Sequence, residues 1–403
     1  MSWKTLFFAV PLILFSEEIS KGPTISIKPF HKPQEEPLVE PLAEVCSEMP
    51  SCPPRAILPS ARSCFGCNDF TASTSILFWQ AKLWGLEFAG KSFIPNTPNG
   101  TAQTFNQKIF VPDFAWKPGF KLNLGYNLPY DSWDLSGRWT YYHEVCTSLK
   151  KHFESVVAPP DIGIIPLWHY PFVQVLGGNT ADPLRYQKAT GNWKMYFNSF
   201  DLELGRYFFP NQTIPMRLKI GAKGAAIRQF YHVDYDGGTT ALAINPLTGD
   251  AELCQFVSSH FQVSTHQWGI GPSLGLESKW NLWRGLNLIG NGGFSILCSF
   301  FDLSTKYNDV IVQPNASSPD SQMKMDEDFR ELTPVCEAML GLDWGTCFYD
   351  QYFFGFTLGY EWQYWWSVNH ARRHYVENLP GETFDMRGEL QMQGLNATIK
   401  FDF

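Results

Sequence analysis

The chain has 403 residues, of which 44% are hydrophobic, 16% aromatic and only 17% charged, with a formal net charge of −8. Globular chains average about 25% charged residues, so this one is short of charge; with 33 Phe, 16 Tyr and 15 Trp it is also crowded with rings. That balance excludes a disordered chain, which lacks aromatics and carries excess charge, and a basic nucleic-acid binder. Mean hydropathy is −0.19. A bundle of membrane helices needs apolar runs of about 20 residues, and the only long apolar run lies in the first fifteen residues. Two classes remain: a large β-rich soluble protein, or a closed β-barrel in a membrane.

Lys4 precedes the apolar run Thr5–Phe15, and Ser16 follows before Glu17 and Glu18. A basic start, a short apolar core and a small residue near the cut read as a secretory signal over 1–20. The run is too short to span a bilayer as a helix. Residues 21–69 are rich in Pro and charge, as in Lys28–Pro41, and read as an extended arm. The nine cysteines fit an exported chain. Cys46, Cys52, Cys64 and Cys67 cluster in the arm and are disulfide candidates. The Cys64–Cys67 spacing also suits a metal or a redox pair. A structural zinc would need four regularly spaced ligands and a redox pair a βαβ context, so no metal and no cofactor are expected.

From residue 70 onward the dominant signal has period two, the mark of a strand with two unlike faces. Thr74–Trp84 is a weak first strand. Phe120, Leu122, Leu124 and Tyr126 then alternate with Lys121, Asn123 and Gly125, and Trp133, Leu135, Trp139 and Tyr141 alternate with Asp134, Ser136 and Arg138. The same alternation recurs around Phe200–Leu204, Met216–Ile220, Trp268–Leu276, Leu286–Phe300, Leu332–Trp344, Phe354–Trp362 and Leu395–Phe403. About ten strands result, and hairpins hidden in the connections would raise the number to twelve. Connections near 127–132, 208–214, 280–285 and 345–351 are tight. Those near 85–117, 143–190, 236–261, 302–328 and 367–386 are long. Compact soluble domains seldom carry such loops. An outer-membrane barrel alternates short periplasmic turns with long outer loops. The fold class expected is therefore all-β: an antiparallel transmembrane β-barrel over 70–403 behind a Pro-rich arm. Aromatics near the strand ends, among them Trp133, Tyr141, Trp268, Trp280, Trp344 and Tyr364, fit the interfacial girdles of such barrels.

Several stretches resemble the Legionella-type major outer membrane protein family and its copies in chlamydia-related bacteria. They are Trp116–Leu135 with Trp139–His143, Leu202–Phe208, Leu218–His232, Trp268–Pro272 and Gly394–Phe403. The resemblance covers about 70–403 and implies an abundant, porin-like barrel in the bacterial outer membrane. The terminal Phe403, with apolar residues at alternate positions before it, resembles the signal read by the barrel-assembly machinery.

With the apolar parity toward lipid, the polar parity lines the lumen. The candidate pore-lining residues are Lys121, Arg138, Asp201, Glu203, Arg217, Lys219, Lys223, Glu277, Glu337, Asp343 and Glu361. Rings of charge bias which ions enter a pore, and a base-rich wall facing an acid-rich one would set up a transverse field. The reading is passive diffusion of small hydrophilic solutes or ions. The alternative is a structural or adhesive barrel whose charges simply fill a closed lumen. About ten strands keeps that alternative open, since eight give a filled interior and 16–18 an aqueous channel. Partners expected are outer-membrane lipid, small solutes or ions, further copies of the chain and disulfide-linked envelope neighbours, and no nucleic acid. An enzyme is not expected. His143, His152, His169, His232, His260 and His266 lie near outer strand ends or loops, but neither G-x-S-x-G nor H-E-x-x-H occurs.

Overall fold

The computed structural model describes residues 69–93, 106–128, 133–151, 162–168, 185–211, 214–244, 251–283, 285–312, 320–348, 352–374 and 383–403. All belong to the unit Ile57–Phe403. The expected signal at 1–20, the arm as far as residue 68, and Cys46, Cys52, Cys64 and Cys67 lie outside the described residues.

Among the described residues, sixteen strands follow in chain order: β1 (Phe70–Leu83), β2 (Ala89–Phe93), β3 (Asn106–Phe110), β4 (Trp116–Asn127), β5 (Trp133–Lys151), β6 (Ile162–Pro166), β7 (Tyr186–Asn211), β8 (Ile214–Gly238), β9 (Thr240–Ile244), β10 (Ala251–Trp283), β11 (Leu286–Val312), β12 (Asp320–Phe348), β13 (Tyr352–Asn369), β14 (Arg372–His374), β15 (Thr383–Asp385) and β16 (Gly388–Asp402). Ten of them, β1, β4, β5, β7, β8, β10, β11, β12, β13 and β16, pair antiparallel in that order. The last returns to the first along Thr71–Leu83 against Leu390–Asp402. Closure gives each of these ten strands a partner on both sides, which a lipid-embedded sheet requires. The Phe403 backbone completes the seam: its N–H donates to Phe70 O at 3.0 Å, and its O accepts from Phe70 N at 3.2 Å.

Each of the ten sequence-predicted strands is present. The extra strands in the long connections do not cross the barrel. β2 pairs with β3 and β6, β9 pairs with β10, and β14 with β15. The connections expected at 143–190, 236–261 and 302–328 are corrected: β5 runs to Lys151, β10 begins at Ala251, β11 runs to Val312 and β12 begins at Asp320. A strand crosses a bilayer in about 9–11 residues, whereas β10 has 33 and β11 has 27. These strands therefore stand well clear of the membrane on the loop side.

β8 shows how one strand serves both regions. Its first outward positions, Leu218 and Ile220, are apolar and exposed, while the inward ones are Arg217, Lys219 and Lys223. Beyond residue 226 the chemistry inverts. Outward positions become Arg228, His232, Asp234 and Asp236, with Phe230 the apolar exception, and the inward Ile227, Tyr231, Val233 and Tyr235 are buried, with Gln229 the polar exception. Lipid outside selects apolar outward residues, and water outside reverses the demand, with the parity of the strand unchanged. The exposed apolar band also includes Phe78, Leu124, Leu202, Ile270, Leu340 and Leu358. Trp139 stacks on Phe200, and Trp268 on Phe300, along its loop-side edge. Phe70, Tyr126, Phe401 and Phe403 gather at the turn-side edge.

Candidate functional site: a charged vestibule under an aromatic seal

The eleven sequence-predicted residues, from Lys121 to Glu361, all face one interior cavity of about 830 Å³. Thr71, Tyr126, Asn127, Asn281, Gly285, Gly345 and Lys400 also border it, so it reaches the short-turn rim. Gly285 forms that rim between β10 and β11 with φ of +86°, a conformation that glycine adopts without strain.

Acids and bases interlock across this space. On neighbouring strands, Arg138 bonds Asp201 at 3.2 Å and Glu203 at 3.1 Å. Lys219 lies 3.5 Å from Glu203. Asp201 opposes Lys223 in the β7–β8 register. The Arg217–Glu277 and Asp343–Thr357 contacts also join neighbouring strands, whereas other pairs skip at least one strand. Lys121 on β4 pairs with Glu361 on β13, and Lys223 on β8 lies 3.0 Å from Glu337 on β12. Arg217 holds Asp134, with its Nε 2.9 Å from Oδ2, and reaches Glu277 at 3.4 Å. Asp343 accepts from Thr357 at 2.8 Å and pairs with Lys279 at 2.6 Å. The expected base-rich wall facing an acid-rich wall is corrected accordingly. The two sets meet in contact, so much of any transverse field is neutralised where it would arise.

Above the vestibule the interior closes. Trp79, Tyr142, Phe197, Ile227, Val335, Trp365 and Met392 come from seven strands, and each has 0% exposure. The layer is locked by polar bonds. Tyr142 donates to the Trp79 carbonyl at 3.0 Å, and Trp365 Nε1 donates to Gln363 at 3.2 Å. It also rests on the charge network, with Lys121 Nζ 4.9 Å from the Trp79 ring and Lys223 Nζ 6.0 Å from that of Trp365. Such contacts are worth about 0.5–2 kcal/mol each. Farther out, Leu86, Phe88 and Trp168 fold into the barrel mouth. Tyr231 donates to Leu86 O at 2.8 Å, and Trp168 Nε1 donates to Glu87 O at 2.8 Å.

Sequence reading missed three things. Asp134, Lys279 and Asn396 line the cavity, and parity alone would have found them. The seal was missed because its inward residues are apolar, the opposite of what a lumen face was expected to carry. Cys347, at the turn side, is disulfide-bonded, whereas Cys146, Cys298 and Cys336 are free. Of the six histidines noted, His152 and His169 lie outside the described residues. His232 and His260 converge on Asp234.

The family model described as Legionella pneumophila major outer membrane protein precursor matches residues 65–403. The chain belongs to this family. It is an outer-membrane protein with a closed antiparallel β-barrel, as the sequence resemblance implied. Comparison with curated proteins finds no match. Among solved structures it is similar to the outer membrane protease OmpT of Escherichia coli, at 10% identity over 85% of this chain and 98% of that one, with a TM-score of 0.30. The P. putida toluene transporter TodX is similar at 6% identity over 84% and 90%, with a TM-score of 0.19. At those scores neither likeness bears on activity.

Proposed function

We propose that this family member is a non-enzymatic, porin-type barrel held closed at rest. Small hydrophilic solutes or ions enter the charged vestibule, and passage requires the aromatic layer to yield. The vestibule carries this reading. A barrel that served only as a wall would be most stable with its membrane-embedded interior filled. Here charged and amide side chains keep a cavity of about 830 Å³ open to water within the lipid-facing belt. Its dense ion pairing makes the path a short-range charge filter rather than a wide sieve.

Planar-bilayer recordings test it. Purified wild-type protein is expected to give rare, small openings. A Trp79→Ala/Trp365→Ala variant removes two rings of the seal and is expected to conduct far more. No current in either protein at any voltage would overturn the porin reading. The second reading, a permanently closed scaffold or adhesive barrel, is favoured by the complete burial of the seal. It is the outcome that silence in both would leave.

A further inference from the structure

Three outward side chains on the loop-side wall form a cluster that the vestibule does not use. His260 on β10 directly opposes Asp234 on β8, and His232 opposes Gln262 one step along the same face. Asp234 Oδ1 lies 2.6 Å from His260 Nδ1 and 2.9 Å from His232 Nε2. The donor atoms of all three residues fall within 4.8 Å of one another. We propose that His232, Asp234 and His260 form a surface site for a late first-row divalent metal ion, zinc or copper(II), open to the medium outside the cell.

The donor set is two imidazoles and one carboxylate, which suits zinc and copper and leaves positions for water. Metal–ligand bonds of about 2.0–2.2 Å put ligand atoms roughly 3.3 Å apart. The three groups reach that arrangement by moving their side chains by less than about 1 Å, with the strand pairing intact. The positions directly opposite the ligands carry no positive charge, and Lys306 and Lys194 lie one step away, opposite Gln262 and Phe230. Next to the cluster, Thr190 opposes Asp234 and Asn192 opposes His232 on β7, and Asn308 opposes His260 on β11. The nearby Lys188 is engaged with Asp236 at 2.8 Å. All three ligands are half-buried, so an ion reaches them without opening the fold. Asp234 already accepts from both rings and holds them facing one point, which lowers the ordering cost of binding.

Calorimetric titration of the full-length protein, folded in detergent, with Zn²⁺ tests the site. Wild type is expected to bind one more ion per chain than a His232→Gln/His260→Gln variant. Asp234→Asn is expected to weaken that ion at least tenfold. His266→Gln, an outward histidine of β10 outside the cluster, is the control and is expected to bind as wild type does. With Cu²⁺, paramagnetic resonance of the wild type is expected to show splitting from two imidazole nitrogens, which His260→Gln reduces to one. Heat-modifiable migration establishes that each variant is folded. Equal stoichiometry in wild type and the double variant, or loss of the ion in His266→Gln, would overturn the proposal.

Discussion

Replacing Lys223 by Met removes the side chain on which vestibule and seal both lean. Its Nζ is 3.0 Å from Glu337 and also ion-pairs with Asp201, and the residue is 1% exposed. Breaking a fully buried pair by deleting one partner costs about 3–5 kcal/mol. Two features reduce that figure here. Asp201 keeps Arg138 at 3.2 Å, and Glu337 remains partly exposed, at 19%. The expected loss is therefore about 2–3 kcal/mol. Adding Glu337→Gln removes the stranded carboxylate and should restore about 1–2 kcal/mol, within the usual range of coupling between contacting residues. Lys400→Met is the comparison. Lys400 pairs with Asp402 at the rim with 35% of its side chain exposed, and its loss should cost under about 1 kcal/mol. Urea titration of the folded barrel in detergent, followed by tryptophan fluorescence, reads all four proteins. If Lys223→Met unfolds at the wild-type urea concentration, or Glu337→Gln brings no recovery, the lumen pairs do not hold the walls together as argued.

Three further outcomes are expected. Asp309 lies nine residues past Phe300, beyond the lipid belt on β11, with one carboxylate oxygen unbonded, and burial pushes its pKa from 3.8 up to about 7. A raised acid stabilises the fold fully below pH 3.8 and loses that contribution as pH climbs through 7. The swing is about 4 kcal/mol at ~1.4 kcal/mol per pKa unit. Asp309→Asn should flatten the stability profile between pH 4 and 8, and an unchanged slope would refute the assignment. Gly271→Ala would drive a Cβ into the Ile296 carbonyl oxygen of the paired strand. The heat-modifiable, folded fraction should fall, and a wild-type fraction would show that β10 and β11 do not approach so closely. Phe403→Ala should lower the amount assembled in cells while leaving detergent refolding near wild type, since its seam bonds are backbone bonds. Equal losses in both assays would assign Phe403 a purely structural part.

The ten spanning strands were legible because alternation is a local property. Leu122 and Leu124 outward, Lys121 and Asn123 inward, follow from a two-residue repeat and need no knowledge of neighbours. The lumen placement of Asp201, Glu203, Arg217, Lys219 and Lys223 was legible because they share the polar parity on either side of the tight connection at 208–214, whereas the Asp201–Lys223 register appears only in the structure. Strand ends were not legible. β11 continues to Val312, inside the connection expected at 302–328, and its inward side changes from Ser295 to Leu303 and Tyr307 where the outer solvent changes from lipid to water. Period-two reading with one face assigned to lipid takes that inversion for a loop.

By itself the sequence determined the class of wall and the parity of the charges on its membrane-spanning part, with export of the chain as an expectation. Tertiary structure decided whether the wall encloses a hole. Lys121 and Glu361 are 240 positions apart, and Trp79 and Trp365 enter one seal only because β1 and β13 both pair with β16, opposite Gly394 and Leu390. Closure of the cylinder sets which side chains share a height. That height places a charged vestibule within the lipid belt and an aromatic seal above it.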